Sequence, residues 1–182
     1  MSRKKSTKHR PEIRQWIEAL RRPGLLQATG HLMSQATDDE RTRSYCCLGV
    51  AEQEHGCRWV HQYSHERTLY GQLISFLPLH DGETCDWVLL AGRHAPNSAT
   101  LRVDTMHWLG LQECDPYVAI RPGIVSNYPD GTVRNLSSVN DGLKLPLFVI
   151  ADVIEAQPFD WDGVYEQAQR TLSAWLTESG LK

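Results

Sequence analysis

No run of apolar residues in this 182-residue chain approaches the roughly 18 that a bilayer-spanning helix needs, and no apolar core follows its basic N-terminus. Neither a membrane span nor a secretion signal is expected. The phosphate-loop pattern G-x-x-x-x-G-K-[ST], the dinucleotide fingerprint G-x-G-x-x-G, the zinc-protease motif H-E-x-x-H and the serine-hydrolase elbow G-x-S-x-G are all missing. Each absence removes the main support for a common enzyme class. Cysteines are few and odd in number, five, with Cys46 and Cys47 adjacent. They do not suit the disulfide framework of a small secreted domain, so reduced thiols in a cytosol are expected.

What is present fits a single globular α+β domain, with several short helices and a small antiparallel sheet or hairpin. Hydrophobic residues make up 41% and charged residues 23% of the chain, far from the composition of a disordered one. The net charge of −3 conceals a division. Met1 to Arg10 carry five Lys or Arg and no acid, and subtracting those five leaves −8 for the rest. We therefore read residues 1–10 as a flexible basic tail and 11–182 as the domain. Arg3, Lys4, Lys5, Lys8 and Arg10 would gain from counterion release on a nucleic acid, although a solvated terminus explains the same residues.

Pro11 suits a first helical turn, and Ile13, Trp16, Ile17 and Leu20 follow one face until Pro23-Gly24. The polar run Ser34 to Arg43 predicts a surface loop, with Ser44 capping a short helix through Cys46-Cys47-Leu48-Gly49 that ends at Gly56. Trp87 to Leu90 reads as a short strand, and Val103 to Leu109 as a helix stopped by Gly110. The turn sequence Tyr128-Pro129-Asp130-Gly131 predicts a hairpin between Ile124–Asn127 and Thr132–Arg134. Two late helices follow, one after Pro146 and one from Asp162 to Glu178 with Val164, Ala168, Leu172, Trp175 and Leu176 inward.

Several residue groups could carry chemistry, each with a plainer structural use. Cys47 near a helix N-terminus could be a thiolate nucleophile assisted by His80 or His94, yet its apolar neighbours read as core. Cys57, His61 and His65 fall every fourth residue, which on a helix would place three metal ligands on one face; a strand would split them. Arg121 and Tyr128 could line an aromatic and cationic pocket for a nucleotide-like anion, and Asn140 and Asp141 could offer it an amide and a carboxylate. Turn and cap roles are the favoured use of Asn140 and Asp141. Asp152 and Glu155 read as a solvated helix face.

Three stretches together resemble a group of small bacteriophage and prophage proteins. They are the helix with Trp16-Ile17-Glu18-Ala19-Leu20; the word Tyr45-Cys46-Cys47-Leu48-Gly49-Val50; and Trp108-Leu109-Gly110-Leu111 followed by Asn140-Asp141-Gly142 and Ile150-Ala151-Asp152-Val153-Ile154-Glu155. The group usually continues the second word with Leu-Cys, where this chain has Ala51-Glu52. The resemblance implies a phage origin, the cytoplasm of a bacterial host, and no cofactor or catalytic residue. The expectation is an accessory protein that binds a host protein or a nucleotide-like small molecule, as in blocking a host immune protein or sequestering its signal, and that can form homo-oligomers. A small cysteine- or metal-dependent hydrolase and a nucleic-acid-binding protein led by the basic tail are the alternatives.

Overall fold

The computed structural model describes residues 9–35, 40–62, 67–68, 71–72, 74–79 and 100–180. Helix α1, Pro11–Leu20, starts with its proline in the first turn and buries Ile13, Trp16, Ile17 and Leu20, as their spacing predicts. It packs on α2, Cys47–Glu54, and on α4, Leu147–Glu155, whose buried side chains include Leu147, Ile150, Ala151 and Ile154. These three helices hold most of the apolar core.

Beside them lies a five-stranded sheet in the order β1-β3-β2-β7-β4, with β1 Leu26–Gln27, β2 Met33–Gln35, β3 Arg43–Tyr45, β4 Arg58–Gln62 and β7 Ile74–Leu79. β1 runs parallel to β3 and the other pairs are antiparallel. A short ladder joins β5, Arg67–Thr68, to β6, Gly71–Gln72. The expected loop from Ser34 to Arg43 is thus bounded by paired strands, with Met33, Ser34 and Gln35 buried. Its polar side chains satisfy one another across the ladder. Ser34 Oγ meets Ser44 Oγ at 2.8 Å, and Arg43 Nε donates to Gln35 Oε1 at 3.1 Å. Such a strand shows no apolar alternation. Ser44 is consequently a strand residue, and the cap of α2 is Cys46, whose Sγ accepts from Gly49 N–H at 3.3 Å.

Helix α3, Val103–Leu109, ends as expected at Gly110 in the left-handed conformation, φ 71°. The hairpin is shifted from its expected place. β8, Tyr117–Ile120, pairs with β9, Thr132–Asn135, across the connection 121–131. The turn at 128–131 is present, closed by Gly131 N–H to Tyr128 O at 2.9 Å, but Ile124 lies exposed while Val118, Ala119 and Ile120 enter the core. Burial, more than turn chemistry, selects the strand. The outer edge of β8 is covered by the Gln157 amide, which accepts from Ala119 N–H at 3.1 Å and donates to Ala119 O at 2.9 Å.

A π-helical turn, Ser138–Gly142, leads to α4, and α5, Tyr165–Glu178, lies along the hairpin. α5 starts after Gly163, a little later than expected, and buries Ala168 and Gln167; Leu172, Trp175 and Leu176 are only half-buried. At the other terminus, His9 is buried and its Nε2 donates to Glu155 O at 3.1 Å. A Cβ on Gly110 would collide with the Arg10 guanidinium. His9 and Arg10 therefore dock on the domain and are not part of a free tail. The chain is an α+β domain, and no described helix is long and apolar enough to cross a membrane.

Candidate functional site

The distinctive words of the sequence meet at one residue. Trp16 Nε1 donates to Cys47 O at 2.9 Å, and Cys47 N–H donates to Asn140 Oδ1 at 3.3 Å. Asn140, fully buried on the π-helical turn, donates through Nδ2 to Ala28 O at 2.8 Å and to Asp141 Oδ1 at 2.5 Å. Gln27 Nε2 adds bonds to Asn140 Oδ1 at 3.0 Å and to Leu145 O at 2.9 Å, and Gly30 N–H donates to Asp141 Oδ2 at 2.9 Å. One buried amide thereby ties α2, the loop after β1 and the turn before α4 together. In a low-dielectric interior such a network is stabilising only when its members are satisfied, as they are here.

The Leu-Gly half of the word has its own reason. A Cβ on Gly49 would lie 1.8 Å from Leu32 O, and that carbonyl accepts from Cys46 N–H at 3.0 Å. Only glycine lets α2 approach so closely. Both cysteines are buried. Burial pushes the Cys47 thiol well above its ordinary range, helped by Cys46 and the carboxylates of Asp115 and Asp141, and its Sγ donates to Leu136 O at 3.6 Å. Cys46 is pushed up to about 12, again chiefly by burial. These are neutral packing thiols, the opposite of the lowered pKa a nucleophile uses. His80 and His94, their suggested partners, lie outside the described residues.

Glu52 is fully buried on α2. It accepts from Arg102 N–H at 2.6 Å and from Thr105 Oγ1 at 2.7 Å, so it caps α3 from another helix. Thr105 Oγ1 also meets His55 Nδ1 at 3.0 Å, and the His55 ring stacks on Trp108 with centroids 4.9 Å apart. A cap supplied from fifty residues away leaves no local signal.

The other nominated residues fall apart in space. Cys57 is buried just before β4, and its thiol is pushed up to about 12 by burial and by Glu52. His61 is in β4, so the helical spacing that would have aligned Cys57, His61 and His65 does not exist; His65 lies outside the described residues. No group of three His, Cys, Asp or Glu able to hold a metal occurs among the described residues. Arg121 lies 4.5 Å from the Trp175 ring centroid. Arg134 lies 5.0 Å from the Tyr128 ring and donates to its Oη at 2.8 Å. Arg134 is opposite Val118 on one face of the hairpin, while Tyr117, on the other face, meets Tyr165 of α5 edge-on. Arg121 and Tyr128 thus belong to separate pairs. Among the described residues neither hydrogen bonds nor ring contacts join them to Asn140 and Asp141.

A surface feature that sequence reading missed remains. A cleft of about 460 Å³ opens between the end of α1, β1 and the start of α4, lined by Leu20, Leu25, Gln27, Leu147 and Phe148 with Arg21 and Arg22. Phe148 is 59% exposed and neighbouring Leu26 is 48% exposed. Arg21 Nη2 reaches Asp152 at 2.5 Å and Glu155 at 2.6 Å, while Arg22 grips Glu54 through two bonds of 2.6 and 2.9 Å. The solvated face expected for Asp152 and Glu155 therefore anchors a cleft arginine. Phe148 and Leu26 gave no sequence signal because each continues an otherwise ordinary apolar segment.

The buried amide-and-thiol network and the surface cleft are separate features of the domain. The chain belongs to the family described as a domain of unknown function (DUF8296), whose sequence profile matches residues 9–158. The match begins at the docked His9 and stops before α5. No curated protein and no solved structure matches the chain.

Proposed function

We propose that this is an accessory protein of phage origin that acts by binding in the cytoplasm of a bacterial host, blocking a host immune protein. The cleft carries this reading: an aromatic ring as exposed as Phe148, in a cleft that Arg21 and Arg22 also line, has the composition of a binding hot spot. The distinctive residues that looked reactive are occupied in the interior, which leaves the surface for function. The resemblance to phage proteins supplies the biological setting.

The test is the plating of restricted phages on bacterial strains that each carry one defence system, with and without this protein. Restoration of plating by the natural chain, and its loss with Phe148→Ser, is expected for at least one system. No restoration across the panel overturns the counter-defence reading. A nucleotide-like signal as the ligand is favoured by one further feature. Arg121 is exposed over Trp175 and its guanidinium has no hydrogen-bond partner among the described residues, which leaves its donors for a phosphate. Loss of plating with Arg121→Gln but not with Phe148→Ser would select that ligand.

A further inference from the structure

β1 is the terminal strand of the five-stranded sheet. Ala28 N–H donates to Tyr45 O across the β1 and β3 ladder at 3.0 Å, so the alternation of the strand turns the backbone N–H and C=O of Gln27 outward. Neither has a hydrogen-bond partner among the described residues. Gln27 lines the cleft together with Pro146, Leu147 and Phe148. Among the described residues, the charged ones that line it are Arg21 and Arg22 alone. The carboxylates that hold them, Asp152, Glu155 and Glu54, do not line it. Arg21 uses Nη2 alone for both of its acids, which leaves Nη1 and Nε as donors.

We infer that the cleft receives an extended, acidic and apolar peptide segment of a partner protein, which adds as a strand to the Gln27 edge of β1. The reading rests on the binding function proposed above. An extended backbone is the chemistry that fits an outward N–H and C=O, and its alternation of side chains sends one row into the cleft. The row facing Phe148, Leu20 and Leu25 is apolar. Carboxylates on the peptide meet the remaining donors of Arg21 and Arg22, whose ion pairs with Asp152, Glu155 and Glu54 keep the guanidinium groups in place. With only two residues in β1, the edge contributes two backbone bonds and the side-chain row supplies most of the affinity.

Selection of a random displayed peptide library on the full chain tests this. Enriched peptides are expected to carry apolar residues at alternate positions, with Asp or Glu in that same row where it reaches Arg21 and Arg22. Their binding should fall at least tenfold with Phe148→Ser and severalfold with Arg21→Gln. A selected peptide N-methylated at the residue facing Gln27 should bind about five- to tenfold more weakly, the loss of one backbone bond. In a titration followed by NMR, the Gln27 amide should shift. Selected peptides that are basic or helical, that tolerate N-methylation at every position, or that leave the Gln27 amide unmoved overturn the inference, as does a library yielding no binder. Any of those results beside a plating phenotype that still needs Phe148 removes the strand-addition geometry and leaves the binding function standing. A concentration-dependent dimer that masks Phe148 assigns the cleft to a second copy and also overturns it.

Discussion

The buried network at Cys47 and the open cleft are made from adjoining segments, and Gln27 belongs to both. Its side chain reaches inward to Asn140 and Leu145, while its backbone faces the cleft. In the network both polar atoms of the Asn140 side chain are bonded; along the cleft, among the described residues, the Gln27 backbone groups and part of Arg21 are not. The contrast shows that an unusual sequence word can record a packing requirement. Tyr45 to Val50 is unusual because Leu32 O needs glycine against it and because Asn140 needs a backbone N–H at Cys47, and neither need is chemical reactivity.

Mutations should separate the two regions, and the largest effect belongs to the network. Gly49→Ala drives a methyl into Leu32 O, and a loss of about 4 kcal/mol or more in urea unfolding is expected, enough to prevent folding in a marginal domain. Asn140→Ala leaves Ala28 O and Cys47 N–H buried without their partner and should cost about 3 kcal/mol by the same measurement. Gln27→Ala should cost only about 1 kcal/mol, because Asn140 keeps its other bonds. A double-mutant cycle on Gln27 and Asn140 should show coupling if they form one network.

Smaller effects sharpen the contrast. Cys46 and Cys47 should resist alkylation at pH 8 in the folded chain and react on unfolding; rapid native labelling would restore the reactive-thiol reading. Phe148→Ser should change unfolding free energy by less than about 0.5 kcal/mol, since the ring is already exposed. Asp115 gives a pH signature. Burial raises its carboxyl above the ordinary 3.8, despite the bonds from Ser137 N–H at 2.9 Å and Oγ at 2.5 Å. The folded state therefore holds this proton more tightly than the unfolded chain. That stabilisation is present below the unfolded pKa and lost as pH rises through the folded one. The stability of the natural chain relative to Asp115→Asn should accordingly fall as pH rises from below 3.8 through the raised folded value.

Much of the helical framework was legible in the sequence. Pro11, Pro146, Gly110 and the apolar stripes of α1 and α4 act locally, through fixed φ, missing donors and periodic burial. The sheet was less so, because Ser34, Gln35, Arg43 and Ser44 pair with one another and hide the alternation on which a strand is recognised. The hairpin was misplaced by a turn sequence that is real but lies within a longer connection. For the sites, Cys47, Asn140 and Asp141 stood out, but their juxtaposition is a property of the tertiary fold. The cleft did not stand out at all, since exposure of Phe148 depends on what fails to cover it.

The most direct test compares Cys47→Ala with Phe148→Ser in the phage-plating assay, at matched amounts of folded protein. The account predicts that Cys47→Ala keeps the counter-defence effect and that Phe148→Ser loses it. Loss with Cys47→Ala while Phe148→Ser remains active would contradict it and return function to the buried thiol.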